Sequence, residues 1–181
     1  SDVYKRQEID RAKVATVASL VNLMQEAAMQ NVIDLKVSVW DMAEQHISWV
    51  LMNKNLKIFR LPTLGETIKV QTYPAGFDRL YTFRDYKVMD ADNNIIAQSS
   101  STWLLMDTVR RRVARIPETI RTLGSFDASN CLPRPKNELP VLDKIGFQKD
   151  FFINWHDLDF NQHLSNIRYM QWMFETIDYY M

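Results

Sequence analysis

The sequence predicts an α+β fold in which one hydrophobic helix packs on an antiparallel sheet. Three observations carry this: a long apolar helical period near the N-terminus, a run of turn-separated strand patterns after it, and a composition able to bury a core. The 181 residues are 46% hydrophobic and 12% aromatic with 4 Gly and 6 Pro, which excludes a disordered or collagen-like chain.

The helix covers 16–35, where Leu20, Leu23, Met24, Ala27, Ala28 and Val32 recur at spacings of three and four without Gly or Pro. Ser38 followed by Asp41 is an S-x-x-D start for a short second helix that stops near His46. From Ile47 the period changes. Trp49, Leu51, then Leu56 and Ile58 alternate with polar residues up to Pro62, so one long strand with a bulge near 53–55 is expected. Further strands are predicted over 67–73, 80–89 and 95–106, the last two joined as a hairpin through Asp90-Ala91-Asp92-Asn93-Asn94. After Pro117, residues 122–140 hold Gly124, Pro133, Pro135 and Pro140 without a sustained period and read as linker. A strand over 147–155 and an amphipathic helix over 164–180 then suggest a second, related unit. The expected organisation is 1–121, a linker 122–146, and 147–181. That last helix has an apolar stripe that needs cover, from a partner such as a second copy of the chain or from further sheet.

Charge and cysteine content narrow the function classes. Lys plus Arg and Asp plus Glu both number 22, so nothing global attracts the chain to nucleic acid or an anionic membrane. Cys131 stands alone, which excludes an internal disulfide and a CxxC knuckle and favours a reducing compartment such as the cytoplasm. No run of 18 apolar residues occurs, so no membrane span is expected. Ser1–Gln7 lacks the apolar stretch of a signal peptide and stays outside the functional reading.

The densest polar cluster is His156-Asp157-Leu158-Asp159-Phe160-Asn161-Gln162-His163, just ahead of the last helix. Its D-x-D-x-N spacing imitates a calcium loop, but the sixth position is Gln162 and the twelfth Arg168, where such loops need Gly and Glu. His156 and His163 supply at most two zinc ligands. Acyl-transfer chemistry fits better: His163 beside a helix N-terminus can serve a water or an oxyanion, Asn161 can orient the carbonyl or the water, and Asp159 can fix the imidazole. The plain alternative is that Asp157 or Asp159 caps the helix and the histidines lie in a solvated turn.

The segment 157–175, DLDFNQHLSNIRYMQWMFE, closely resembles the D-L-D-x-N-x-H-x-x-N-x-x-Y-x-x-W signature of acyl-ACP thioesterases, which hydrolyse acyl-acyl-carrier-protein at the end of fatty-acid synthesis. Residues 18–28 (ASLVNLMQEAA), 49–65 with the L-P-T-L-G-E turn, and 107–117 (DTVRRRVARIP) resemble the family too, so the likeness covers about 8–181. It implies a tandem hotdog fold whose first repeat shapes the acyl tunnel and whose second holds the catalytic residues, with no cofactor. By motif position Asp159, Asn161 and His163 match the catalytic Asp, Asn and His. The family's further carboxylate, on a later strand of the second repeat, would fall past Met181; Glu175 does not match it. The resemblance therefore implies a truncated second repeat, inactive when alone. Two other functions remain open, a hotdog thioesterase acting on acyl-CoA and a non-catalytic acyl-binding module.

Arg110, Arg111, Arg112 and Arg115 lie in a stretch, 109–121, of net charge +4, a candidate dock for an acidic acyl carrier protein or else a solvated turn. Met24, Met29, Met42, Met52, Met106 and Trp49 suit either an acyl-chain lining or ordinary core. His46 reads as a cation at the end of the second helix. The Ser99-Ser100-Ser101 run lacks a G-x-S-x-G elbow, which disfavours a serine nucleophile.

Overall fold

The computed structural model describes residues 10, 13–122, 131–134, 141, 143–159 and 162–177. The chain divides into two compact units between Asn137 and Glu138.

In the N-terminal unit, helix α1 (Val17–Asp34) starts at Thr16, whose hydroxyl accepts the Ser19 N–H. The approach to α1 is tied down by an isolated bridge between Val14 and Thr63 and by the Ala15 N–H donating to the Pro62 carbonyl at 2.9 Å. The L-P-T-L-G-E segment is thus a structural turn. Gly65 takes φ +83°, Glu66 accepts the Thr63 N–H, and Arg60 reaches both Glu66 and Asp90. Helix α2 (Val39–Ala43) carries the capping box that Ser38 and Asp41 predict. It ends three residues short of His46, so His46 is no helix-terminal cation. Its φ of +53° turns the chain, and its carbonyl accepts both the N–H and the hydroxyl of Thr108.

Four long strands follow: β1 (Ile47–Ile58), β2 (Lys69–Asp78), β3 (Tyr81–Met89) and β4 (Ile95–Asp107), antiparallel in the order β1-β4-β3-β2. A short β5 (Arg112–Ala114) pairs with β4 from Leu105 onward, prolonging the edge that β3 occupies as far as Leu104. The β3–β4 turn closes as its residues predict. Asp90 Oδ1 accepts the N–H groups of Asp92 and Asn94, and Asn93 takes φ +64°. Helix α3 (Glu118–Arg121) follows Pro117.

The bulge in β1 lies between Leu51 and Asn53 and decides what enters the core. Strict alternation from Trp49 and Leu51 would bring Asn53, Asn55 and Lys57 inward and turn Leu56 and Ile58 out. One extra residue reverses the phase, so Lys54, Leu56 and Ile58 share the inner face with their cross-strand partners Ser101, Ser99 and Ala97. Met52, at the bulge, is 51% exposed and lines nothing, contrary to the acyl-lining expectation. The inner face holds Leu20 and Met24 of α1 against Tyr86, Val88, Ala97 and Ile96. A second cluster gathers Met42, Leu105, Ile116 and Ile120 with Trp49, whose indole N–H donates to the Val37 carbonyl.

The opposite face is crossed by residues 131–134 of the expected linker. Asp85, 0% exposed, accepts the Leu132 N–H at 2.8 Å and pairs with Arg134 at 2.9 Å. Arg134 also donates to the Ala75 carbonyl and lies over the Phe83 ring, and the Ser100 hydroxyl donates to the Pro133 carbonyl. Burial pushes the Asp85 carboxyl up, against the pull of Leu132 N–H and Arg134.

In the C-terminal unit the predicted strand over 147–155 is absent; described residues 147–154 carry no ladder, and Trp155–Asp157 form a single 3-10 turn. A strand exists through its partner's hydrogen bonds, and among the described residues of this unit no second strand offers them. The segment lies instead along helix α4 (Asn166–Glu175), with Phe151 stacked on Trp172 at 4.8 Å and Lys149 paired to Glu175 at 2.8 Å.

Candidate active site

The polar cluster ahead of α4 is a closed loop. Leu158 and Leu164 form an antiparallel bridge, and Asp159 N–H donates to the His163 carbonyl at 2.8 Å. Inside the loop Gln162 takes φ +60° and its N–H donates to the Asp159 carbonyl. The Asp159 carboxylate accepts the His163 backbone N–H at 3.1 Å. Asp159 and His163 therefore occupy the two stems of one loop, facing each other across its neck, and both are exposed. Asn161 and Phe160 lie outside the described residues.

The roles of the flanking residues separate. Asp157, 6% exposed, takes the Asn154 N–H on one oxygen and Arg168 on the other at 2.9 Å. Its backbone carbonyl accepts the Ser165 N–H. It is a structural clasp between the 3-10 turn and α4. The cap of α4 is Ser165, whose hydroxyl accepts the Ile167 N–H, so neither Asp157 nor Asp159 caps the helix. His156 is exposed, its ring tilted against Trp155. Among the described residues no group of three or more His, Cys, Asp or Glu could hold a metal ion. Ser100 and Ser101 are spent on backbone carbonyls of Pro133 and Arg84. Cys131 contacts the Ala75 carbonyl at 3.5 Å.

A second set of polar residues, in the N-terminal unit, escaped the sequence reading: Lys54, Arg84 and Tyr86, which share the inner face with Ser99 of the serine run. The available signal was a lysine at the phase slip of β1 and an arginine inside the apolar alternation of β3.

Comparison with known proteins decides the family. Residues 3–123 match the acyl-ACP thioesterase N-terminal domain and residues 142–181 the acyl-ACP thioesterase C-terminal domain. The chain belongs to the acyl-ACP thioesterase family. A palmitoyl-acyl carrier protein thioesterase of Cuphea hookeriana is 28% identical over 93% of this chain and 44% of its own length. A dodecanoyl-[acyl-carrier-protein] hydrolase of Umbellularia californica is 26% identical over 94% of this chain and 48% of its own. This acyl-ACP thioesterase family member thus spans about half the length of the relatives it matches. Among solved structures, the 12:0-ACP thioesterase from Umbellularia californica superposes with a TM-score of 0.81 at 23% identity, covering 99% of this chain and 74% of that one. An acyl-ACP thioesterase from Bacteroides thetaiotaomicron gives 0.78 at 24%, covering 97% and 71%. The fold is the hotdog that the resemblance implied, a long helix against an antiparallel sheet.

Proposed function

We propose that this chain is the acyl-binding unit and part of the catalytic unit of an enzyme that hydrolyses acyl-acyl-carrier-protein to free fatty acid. The observation that carries this is the closed loop at Leu158–Leu164, which sets Asp159 and His163 of the family signature at its neck within a chain that matches both family domains. In this reading water attacks the thioester carbonyl carbon, a tetrahedral oxyanion forms, and the carrier's thiolate leaves and takes up a proton. His163 and Asn161 serve the water and the carbonyl oxygen. Asp159 holds the loop that carries them by accepting the His163 N–H.

The carrier is an acidic protein, and Arg110, Arg111, Arg112 and Arg115, all exposed in β5 and immediately around it, are its dock. Arg121 is not part of it, because its guanidinium donates to the carbonyls of Ile116 and Arg79. Described helices include none long and apolar enough to cross a membrane. We place the protein in a reducing compartment, the cytoplasm, on its single cysteine; the plant relatives carry the word chloroplastic in their own names.

The test is hydrolysis of acyl-ACPs of graded chain length by this chain and by the full-length product of its source gene, each with His163→Ala. Turnover that disappears in the variant supports the reading. Bound acyl chains with no turnover in either form would make the protein a binding module, and turnover of acyl-CoA without salt dependence would make it an acyl-CoA thioesterase.

A further inference from the structure

The inner face of the N-terminal sheet carries two cations where a closed core would carry none. Lys54, Ser101 and Arg84 form one cross-strand row, and Leu56, Ser99, Tyr86 and Thr72 form the next. Residues paired across antiparallel strands share a face, and neighbouring strands lie about 4.8 Å apart. The two cations are therefore two strands from each other on the side that α1 covers. Arg84 donates only to neutral acceptors among the described residues, Asn31 Oδ1 at 2.8 Å and Thr72 Oγ1 at 3.0 Å. Lys54 Nζ lies 4.3 Å from the centre of the Tyr86 ring. Neither cation has an ion pair among the described residues. The carboxylate nearest in sequence, Asp85, alternates to the opposite face and is taken by Arg134.

Two hydroxyls in the same rows have hydrogen-bonding capacity left over. Tyr86 Oη and Ser99 Oγ are buried without a hydrogen-bond partner among the described residues, although Tyr86 approaches the Ser101 side chain. Buried charges and buried hydroxyls are costly unless something pairs with them. Burial lowers the Lys54 ammonium to about 8 and also depresses Arg84, as expected of cations without counter-charge. The adjoining rows are hydrocarbon: Ile58, Ala97, Val88 and Val70 below Leu20 and Met24. An amphiphile matches this sequence of layers, its methylenes on the apolar rows and an oxygen on the cationic row.

We propose that the inner face of this sheet selects an acyl chain that ends in an oxygen-bearing group, a carboxylate foremost, held by Lys54 and Arg84 with Tyr86 and Ser99 as further donors. This rests on the acyl-binding reading above and adds the chemical class of chain. An anion between two unpaired cations gains charge-assisted hydrogen bonds that a methyl terminus cannot make.

The experiment measures binding, so it does not depend on turnover. Amide analogues of acyl-pantetheine, which cannot be hydrolysed, are prepared with one chain length and three termini: methyl, hydroxyl and carboxylate. Calorimetric titration into the full chain is expected to rank carboxylate above hydroxyl above methyl, the extremes differing roughly tenfold. Lys54→Met and Arg84→Met, each checked for cooperative unfolding, are expected to bring that ratio toward one, and Lys54→Met alone suffices if Arg84→Met does not fold. A methyl-ended chain bound as tightly as the carboxylate, or a ratio unchanged in folded Lys54→Met, overturns the proposal and leaves the acyl-binding reading intact. Binding of none of the three overturns both.

Discussion

At the scale of single residues the N-terminal unit buries charges at a cost, some without a counter-charge and one with partners. Lys54 has its ammonium lowered from 10.5 to about 8 by burial. The sign follows from proton binding: between these values the unfolded chain holds a proton that the native state has released, so stability rises with pH across that window. Below about pH 8 the native state carries the cation and bears its desolvation cost. Lys54→Met is therefore expected to stabilise the protein at pH 7 by about 2 kcal/mol, the gain shrinking toward zero near pH 10.5. Urea denaturation of both proteins at several pH values checks this; a gain independent of pH would mean that packing, not charge, is responsible. Asp85 also bears a desolvation cost, but it has partners. Its carboxylate is fully buried and held by Arg134 and the Leu132 N–H, so Arg134→Met leaves an unpaired buried charge and is expected to cost about 2–3 kcal/mol. Arg134→Met with Asp85→Asn should recover part of that loss in a thermal melt, since the orphaned charge is then gone. Neither residue stood out in the sequence, because its environment is set by strands and by a linker segment distant in the chain.

At the scale of elements, local signals succeeded where the hydrogen bonds stay local. Ser38 and Asp41 cap α2 as their spacing predicts, and Asp90 closes the β3–β4 turn. The strand expected over 147–155 failed for the converse reason, since its alternation satisfies a pleat but cannot supply a neighbour. The basic turn around β5 carries a prediction at this scale. On the docking proposal above, changing Arg111, Arg112 and Arg115 together to Glu should lower kcat/KM of the active enzyme for acyl-ACP roughly tenfold at low salt with little change in kcat, because steering acts on encounter. The loss should fade as salt screens both proteins. Equal kcat/KM for variant and wild type at low salt would identify the turn as a solvated one.

At the scale of the whole molecule, the C-terminal unit exposes much apolar surface. Ile145, Phe147, Phe152, Ile153, Trp155, Met173 and Ile177 are all more than half exposed. Surfaces of this kind mark interaction sites or drive association. The isolated chain should therefore associate with concentration in sedimentation velocity, whereas a single monomer boundary at every concentration would show that this surface is stable in water. The sequence by itself determined the α+β class, the succession of helices and strands through β4, the α2 capping box, the β3–β4 turn and the signature that matches the family, because each rests on periods and spacings of a few residues. Only the tertiary structure decided that Asp157 clasps Arg168 instead of capping α4, that residues 131–134 strap the sheet through Asp85, and that the β1 bulge carries Lys54 onto the face that holds Arg84. Those outcomes depend on which strand lies beside which, and a one-residue shift in phase exchanges the faces of every side chain that follows it.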